Sequence, residues 1–259
     1  MPLVATEDRG AVRHIVMQRA EKRNAMNDEL VRDLGEAFHD ARGDESVHVV
    51  VVRGDGPMFS SGMDLGSLRD LAENPEGLRH FRSDIISVWN MLEEMPKATI
   101  CQIHGACIGG AMELALACDL RVMATDALIG MPETRVGLIP DVGGSSRLPA
   151  VVGLGRAKEL VMTGRMIDGT EAERIGLVNR VAPAEELDAA TAALVGELLA
   201  CAPVPVGHAK RVLDAAAKPA LAATLEHEVT VQELCARTED FAEGTRAFAE
   251  KRQPEFSGR

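Results

Sequence analysis

The sequence predicts an α/β protein with a layered core and a mainly helical C-terminal part. In the first half of the chain, short apolar runs typical of buried strands alternate with amphipathic stretches typical of helices. After about residue 156 such strand-like runs almost vanish, and helix-forming sequence dominates. The composition is 46% hydrophobic, which is ample for a buried core.

The first half provides most of the predicted strands. Leu30, Leu34 and Phe38 share one face of a helix that begins near Asn27 or Asp28. We expect a polar loop over Leu65–Pro75, followed by a helix over Glu76–Met95 that Pro96 ends. A shorter helix is expected over Met112–Cys118. The predicted strands are Val12–Met17, Val47–Val52, Ala98–Ile103, Leu120–Ala124 and Ala127–Met131.

The second half is predicted to be helical, with one clear break. Pro203 and Pro205 interrupt otherwise continuous helix-forming sequence, so we divide the chain into a core over residues 1–200 and a helical region over residues 201–259. The predicted helices are about Arg156–Thr163, Thr170–Ile175, Ala184–Leu199, Val206–Ala217 and Leu221–Phe248.

Charge and composition disfavour several classes of function. The net charge of -12 and the 3% aromatic content argue against binding to nucleic acid or to an anionic membrane. No apolar run approaches the ~18 residues that span a bilayer, so we expect a cytoplasmic protein. The 5 cysteines show no metal-ligand spacing, and we expect reduced core residues and no metal site.

The most informative segment is Ile100–Glu113, in which an apolar run leads through a glycine turn into a helix. Gly109 and Gly110 allow an oxygen to approach the free N–H groups at the helix start, which favour negative charge. Glu113 follows in the first turn of that helix, and Glu133 and Asp141 are further acids downstream. The pattern indicates proton transfer beside a stabilised oxyanion, although each acid alone could be an ordinary helix or turn residue.

Two other enzymatic patterns fail on spacing. Gly153-Leu154-Gly155 precedes a helix, but Lys158 stands where a dinucleotide fingerprint has its third glycine. Ser145 and Ser146 lie beside glycines without the nucleophile-elbow spacing of a serine hydrolase.

Ordered blocks along nearly the whole chain resemble the crotonase, or enoyl-CoA hydratase/isomerase, superfamily. These blocks are Arg19–Met26, Phe59–Asp64, His104–Asp119, Met131–Glu133, Gly137–Leu148 and Glu243–Phe256. The resemblance implies a spiral of ββα units with a helical C-terminal oligomerisation region, which forms trimers or dimers of trimers. It also implies an acyl-CoA thioester substrate, with CoA as part of that substrate and no separate cofactor.

The resemblance assigns roles to residues. The backbone N–H groups of Met63 and Gly110 would bind the thioester oxygen, in the turn that Gly109 begins. Glu113 would deprotonate water and Glu133 would protonate C2 of a 2-enoyl-CoA. The remaining expected CoA contacts are Lys22, Arg23, Ala25, Ser61, Asp64 and Lys97, of which Lys22, Arg23 and Lys97 are candidate phosphate partners.

Asp141 leaves the reaction open, because hydratases of this family commonly have glycine there. An acid at this place resembles the dienoyl-CoA isomerase branch, in which Glu133 and Asp141 would move the protons. That branch usually has aspartate at the position of Glu113. The expected activity is therefore enoyl-CoA hydration, with enoyl- or dienoyl-CoA isomerisation and non-catalytic acyl-CoA binding as alternatives.

Overall fold

The structure is a computed structural model, which describes residues 2–64 and 78–259. Its strands are β1 Val4–Arg9, β2 Val12–Met17, β3 Val49–Gly54, β4 Ala98–Ile103, β5 Ala106–Ile108, β6 Leu120–Ala124, β7 Leu128–Gly130, β8 Ile167–Asp168 and β9 Arg180–Ala182. Its α-helices are α1 Asp28–Gly43, α2 Leu78–Glu93, α3 Gly110–Ala117, α4 Gly144–Val152, α5 Leu154–Thr163, α6 Gly169–Arg174, α7 Leu187–Leu199, α8 Pro203–Ala217, α9 Leu221–Cys235 and α10 Glu239–Glu250.

The strands form two sheets, and both contribute residues to one hydrophobic core. The larger sheet has the order β1-β2-β3-β4-β6-β9, in which β1 is antiparallel to β2 and the remaining neighbours are parallel. The smaller sheet has the order β5-β7-β8. Parallel strands need crossover connections, which α1, α2 and α3 provide between successive strands of the larger sheet. The α/β class that the sequence predicts is confirmed.

Local sequence explains where the elements lie. Val49, Val50, Val51 and Val52 are all buried, as expected for a central strand of a parallel sheet. Helix α1 begins where predicted, because the Asn27 side chain accepts a hydrogen bond from the Leu30 N–H over 3.1 Å and so caps the helix.

Several elements differ from the prediction. The expected continuous helix Leu221–Phe248 is two helices, because Thr238 accepts a hydrogen bond from the Phe241 N–H over 3.0 Å and starts α10. Strand β1 and helix α4 were not predicted. The predicted break before residue 206 is present, since α7 ends at Leu199 and α8 begins at Pro203, but the prolines lie in the first turn of α8, where proline is tolerated.

Two further expectations concern the cysteines and the loop before α2. Cys201 is exposed, so the expectation that every cysteine lies in the core is wrong at that position. The polar loop expected over Leu65–Pro75 lies outside the described residues.

The C-terminal helices pack back onto the core. Helix α9 contacts α2 and α4, and α10 contacts the 3-10 helix Glu133–Val136. Among the described residues no single helix is both long and apolar enough to cross a bilayer. The segment Ala184–Leu199 and helix α8 meet the length and composition criteria only when they are taken together, and they are bent by 102° relative to each other. The contacts of α9 bring residues from the end of the chain to the loop before α4.

Candidate active site

The glycine turn joins β5 to α3 and leaves a backbone N–H group at the start of that helix. Gly109 has φ 56°, a conformation that favours glycine. Its N–H donates to the Gly130 carbonyl over 2.8 Å, which ties the turn to β7. The Gly110 N–H is the first of α3 and has no acceptor among the described residues. This N–H group is therefore available to an oxygen atom from outside the chain.

A second backbone N–H group lies beside the first. Met63 and Met26 form an isolated parallel bridge in which the Met26 N–H donates to Gly62 and the Asp64 N–H donates to Met26, over 2.8 and 2.9 Å. This pattern turns the Met63 N–H away from Met26. The part of the chain that the structure describes contains no acceptor for it.

Close packing brings the two N–H groups together. Ser60 bridges Cys107 in parallel, so the segments that lead to Met63 and Gly110 run side by side. A Cβ atom built on Gly110 would lie 3.0 Å from Met63 Sδ, which shows how closely the two residues approach. Two adjacent backbone N–H donors without partners in the described chain, one of them at a helix start, form a candidate oxyanion site.

Glu113 lies one turn into α3 and is held by the loop before α4. Its side chain is 2% exposed. Oε1 accepts hydrogen bonds from the Val142 N–H over 2.9 Å and from the Gly144 N–H over 2.8 Å. Gly144 is required for this approach, because a Cβ atom there would lie 2.8 Å from Oε1. The carboxylate is therefore buried, oriented and adjacent to the oxyanion site.

Glu133 lies beside the glycine turn. It opens the 3-10 helix Glu133–Val136, and a Cβ atom on Gly109 would lie 2.6 Å from its Oε1. Its Oε2 is buried and has no hydrogen-bond partner within the described ranges. An unpaired buried carboxyl oxygen is costly in a folded protein, which makes Glu133 a candidate functional residue.

The two glutamates titrate as a pair. Burial, followed by the charge of Glu228, raises the pKa of Glu113 to about 7, against the hydrogen bonds from Val142 and Gly144. Burial, followed by the charge of Glu113, raises the pKa of Glu133 to about 8. Both pKa values are therefore raised toward neutral pH, which suits a pair in which one carboxylate accepts a proton and the other carboxyl group donates one.

Asp141 is close to this pair, but its carboxylate is engaged elsewhere. It forms an ion pair with Arg82 of α2, whose side chain is 1% exposed. Arg82 also lies near Glu113, since its charge lowers the pKa of that residue. Asp141 therefore faces a buried cation, which the sequence analysis did not anticipate.

Comparison with known proteins identifies one family. The model of the enoyl-CoA hydratase/isomerase family matches residues 7–259. The chain is 39% identical to human enoyl-CoA hydratase domain-containing protein 2, over 99% of this chain and 88% of that protein. It is 34% identical to an enoyl-CoA isomerase/hydratase of Mycosarcoma maydis, over 96% of this chain and 93% of that protein.

A solved structure shows the same fold. The crystal structure of an enoyl-CoA hydratase from Mycobacterium avium subsp. paratuberculosis superposes with a TM-score of 0.88 at 26% identity, and 98% of each chain is covered. The chain belongs to the enoyl-CoA hydratase/isomerase family. The fold that the resemblance implied, a crotonase-like α/β spiral with C-terminal helices, is confirmed.

Members of the enoyl-CoA hydratase/isomerase family act on acyl-CoA thioesters, and most of the expected CoA contacts lie in one strip. The Ser61 N–H donates to the Arg23 carbonyl over 3.0 Å, which places Lys22 and Arg23, both exposed, beside Ser61. Arg19 binds both the Ala25 carbonyl and the Asp64 carboxylate over 2.7 Å. The structure thus brings these predicted residues together next to Met63.

Lys97 is the exception among the expected contacts. Its Nζ donates to the carbonyl of Ala41 over 2.6 Å and also to that of Asp44. These carbonyls lie at the C-terminal end of α1 and beyond it, where a cation caps the helix. Lys97 is therefore engaged at the end of α1, and we omit it from the proposed CoA site.

Sequence reasoning missed three residues that organise the site. Buried Asn24 donates through Nδ2 to the carbonyls of Asp55, Met58 and Phe59, over 2.8, 3.0 and 3.1 Å, and so fixes the chain before the Met63 turn. The other two are Arg82 and Glu228. No local signal distinguishes them, because both lie in helices with several other charged residues.

Proposed function

We propose that this protein is an enoyl-CoA hydratase, which adds water across the double bond of a 2-enoyl-CoA to give a 3-hydroxyacyl-CoA. The observation that carries the proposal is the pairing of buried Glu113 with Glu133, whose Oε2 is buried, around the turn that presents the Gly110 N–H. Hydration needs one group to accept a proton from water and another to deliver a proton to carbon. Two carboxyl groups whose pKa values are raised toward neutral pH meet that need.

In the proposed mechanism Glu113 is the base. The Val142 and Gly144 N–H groups hold its Oε1, which fixes the carboxylate toward the water that attacks C3. Glu133 is the acid and delivers its proton to C2. Its raised pKa keeps that proton in place near neutral pH, since burial disfavours the charged form.

The N–H groups of Met63 and Gly110 would stabilise the charge that develops during the reaction. Attack at C3 pushes electrons onto the thioester oxygen, and two fixed N–H donors, one of them at the start of α3, lower the energy of that enolate. The free N–H groups need no side chain at either position, which is why methionine is acceptable at position 63.

Isomerisation is the second candidate, because relatives of the chain include an enoyl-CoA isomerase/hydratase. In that reaction Asp141 would move a proton together with Glu133. The Arg82 ion pair favours hydration instead, since it already engages the Asp141 carboxylate. The third alternative, non-catalytic acyl-CoA binding, does not explain why Glu133 Oε2 is buried without a hydrogen-bond partner among the described residues.

We also propose that the protein assembles as a trimer or a dimer of trimers through its C-terminal helices. Apolar side chains are exposed on α8 and α9, among them Val204, Val212, Leu213 and Leu234, which are 63–69% exposed. Such side chains indicate a surface that a partner subunit covers. Light scattering after size-exclusion chromatography tests this assembly, and a monomer would contradict it.

The test of the proposed reaction is hydration of crotonyl-CoA, followed by loss of the ultraviolet absorbance of the conjugated thioester. The comparison is between wild type, Glu113→Gln and the control Glu226→Gln, whose side chain is 77% exposed on α9. We expect Glu113→Gln to lose about 10²- to 10⁴-fold in kcat and the control to match the wild type.

The opposite results identify the other candidates. A wild type that leaves crotonyl-CoA unchanged but shifts the double bond of a 3-enoyl- or dienoyl-CoA would be an isomerase. A wild type that binds butyryl-CoA, measured by calorimetry, but turns over none of these substrates would be a non-catalytic member of the family.

A further inference from the structure

Two carboxylates share the backbone N–H groups at the start of α4. Glu113 Oε1 accepts from Val142 and Gly144, whereas Glu228 of α9 accepts from Gly143 through Oε2 over 2.8 Å. Glu228 also accepts from the Ser146 N–H through Oε1 over 2.6 Å. The donors of the two glutamates alternate along one short segment, residues 142–146.

Helix α9 holds this segment at more than one place. Glu228 is 4% exposed, so its carboxylate is buried against α4 rather than solvated. One turn later Gln232, 3% exposed, accepts the Ile139 N–H through Oε1 over 3.0 Å. The segment that orients Glu113 is therefore attached to the C-terminal helical region by two buried side chains.

The charges around this segment come from α2, α3, α9, the 3-10 helix Glu133–Val136, the loop before α4 and α4 itself, whose buried Arg147 donates to the Val142 carbonyl over 3.4 Å. Arg82 of α2 faces Glu113 and Glu228, and it is ion-paired with Asp141 in the loop before α4. Glu133 faces Glu113 from its 3-10 helix. Burial raises the pKa of Glu228, against its hydrogen bonds to Ser146 and Gly143.

We propose that Glu228 is a positioning residue for Glu113, because it holds the segment whose N–H groups bind the Glu113 carboxylate. This inference rests on the proposed function, in which Glu113 is the base. Glu228 touches no reacting atom in this scheme. It fixes the direction of the Glu113 carboxylate and, through its negative charge, makes that carboxylate a stronger base.

The arrangement has a physical consequence for the base. Both N–H donors to Glu113 Oε1 belong to the segment that Glu228 holds, so a displaced segment carries the carboxylate with it. A misplacement of about 1 Å can lower a rate by about 10²-fold. The negative charge of Glu228 raises the pKa of Glu113, whereas the positive charge of Arg82 lowers it. Loss of the Glu228 charge should therefore lower the pKa of Glu113.

The test compares Glu228→Gln with Glu226→Gln, which makes the same chemical change at an exposed position on the same helix. A glutamine at position 228 can accept one of the two N–H groups, while its own amide N–H₂ faces the other. We would measure amide hydrogen exchange of a peptide covering residues 139–150, and kcat and KM for crotonyl-CoA across pH. The double variant Glu113→Gln/Glu228→Gln completes a mutant cycle.

For Glu228→Gln we expect exchange of the segment to become about 10-fold faster or more. We expect kcat to fall by about 10²-fold, with KM changed by less than about threefold. The acid limb of the kcat profile should move to lower pH, which a loosened segment alone would not cause. In the Glu113→Gln background the further loss should shrink to about twofold or less.

Several results would overturn the proposal. Exchange and kcat equal to those of Glu226→Gln would show that Glu228 has no effect on the segment. Faster exchange with an unchanged kcat and pH profile would show a structural role alone. A full 10²-fold further loss in the Glu113→Gln background would show that Glu228 does not act through Glu113.

The proposal can also be tested if Glu228→Gln does not fold or if the wild type does not hydrate crotonyl-CoA. If Glu228→Gln does not fold, Glu228→Asp keeps the charge with a shorter reach, and we expect a lower kcat with an unmoved acid limb; a wild-type kcat would contradict the proposal. If the wild type itself does not hydrate crotonyl-CoA, the proposed function fails. The exchange comparison then decides whether Glu228 holds the segment.

Discussion

The guanidinium of Arg82 and the carboxylate of Asp141 form an ion pair in the interior, on α2 and in the loop before α4 respectively. The Arg82 side chain is 1% exposed and that of Asp141 is 16% exposed. Arg82 also lowers the pKa of Glu113 by its charge. Arg82 therefore connects Asp141, the candidate acid for isomerisation, with Glu113, the proposed base for hydration.

Asp141→Asn separates the two reactions. We expect kcat for crotonyl-CoA hydration to fall by less than about 10-fold, because Asp141 does not transfer a proton in the proposed mechanism. The melting temperature should fall, since removal of one member of a buried ion pair leaves the other charge unpaired. In the double variant Arg82→Met/Asp141→Asn part of this loss should be recovered. A loss of about 10²-fold or more in kcat, measured well below the melting temperature, would instead assign Asp141 a proton-transfer role.

The pH dependence of hydration should be bell-shaped. Glu113 must be ionised to accept a proton, and its raised pKa of about 7 sets the acid limb. Glu133 must be protonated to donate, and its pKa of about 8 sets the alkaline limb. Initial rates measured from about pH 5 to about pH 10 test this, and a rate independent of pH over that range would contradict the assignment.

Gly110→Ala should impair the oxyanion site. The added Cβ atom would lie 3.0 Å from Met63 Sδ and 3.1 Å from Met63 Cγ, so Met63 must move. We expect kcat to fall, because a shift of the Met63 side chain disturbs the turn that presents the Met63 N–H, one of the two donors. Binding of butyryl-CoA, measured by calorimetry, should change much less. The double variant Met63→Ala/Gly110→Ala restores space and should recover part of the rate; no recovery would show that crowding by Met63 is not the cause.

Glu133→Gln should make the protein more stable at alkaline pH. The pKa of Glu133 is raised to about 8 in the folded protein from an ordinary value of 4.5. A raised pKa means that stability is fully present below the ordinary value and is lost as pH rises toward the folded value. Glutamine cannot ionise, so the variant avoids this loss.

The measurement is the melting temperature of Glu133→Gln and wild type at about pH 5 and about pH 9. We expect the variant to gain several degrees at the higher pH, since about 1 kcal/mol corresponds to about 2–4 °C at this chain length. At the lower pH the difference should be smaller. A difference that is equal at both pH values would show that the ionisation of Glu133 does not contribute.

The α/β class, several predicted strands and the start of α1 follow from local chemistry that a sequence displays. The valine run of β3 is buried on both faces, and Asn27 caps α1 with its own side chain. The pairing of Glu113 with the glycine turn could also be predicted, because both lie within one helical turn of each other. The break between α9 and α10 is not predicted, since threonine also occurs inside helices and Thr238 is therefore included in one long helix.

The sequence by itself determined the fold class, the family resemblance and the candidate residues Glu113, Glu133 and Gly110, because these depend on neighbours along the chain. Only the tertiary structure decided how Asp141, Lys97 and Glu228 are used. Each of these side chains takes its partner from a distant segment: Arg82 for Asp141, the end of α1 for Lys97 and the start of α4 for Glu228. A charged side chain buried on folding must find a partner, and which segments lie near it is fixed by packing rather than by local sequence.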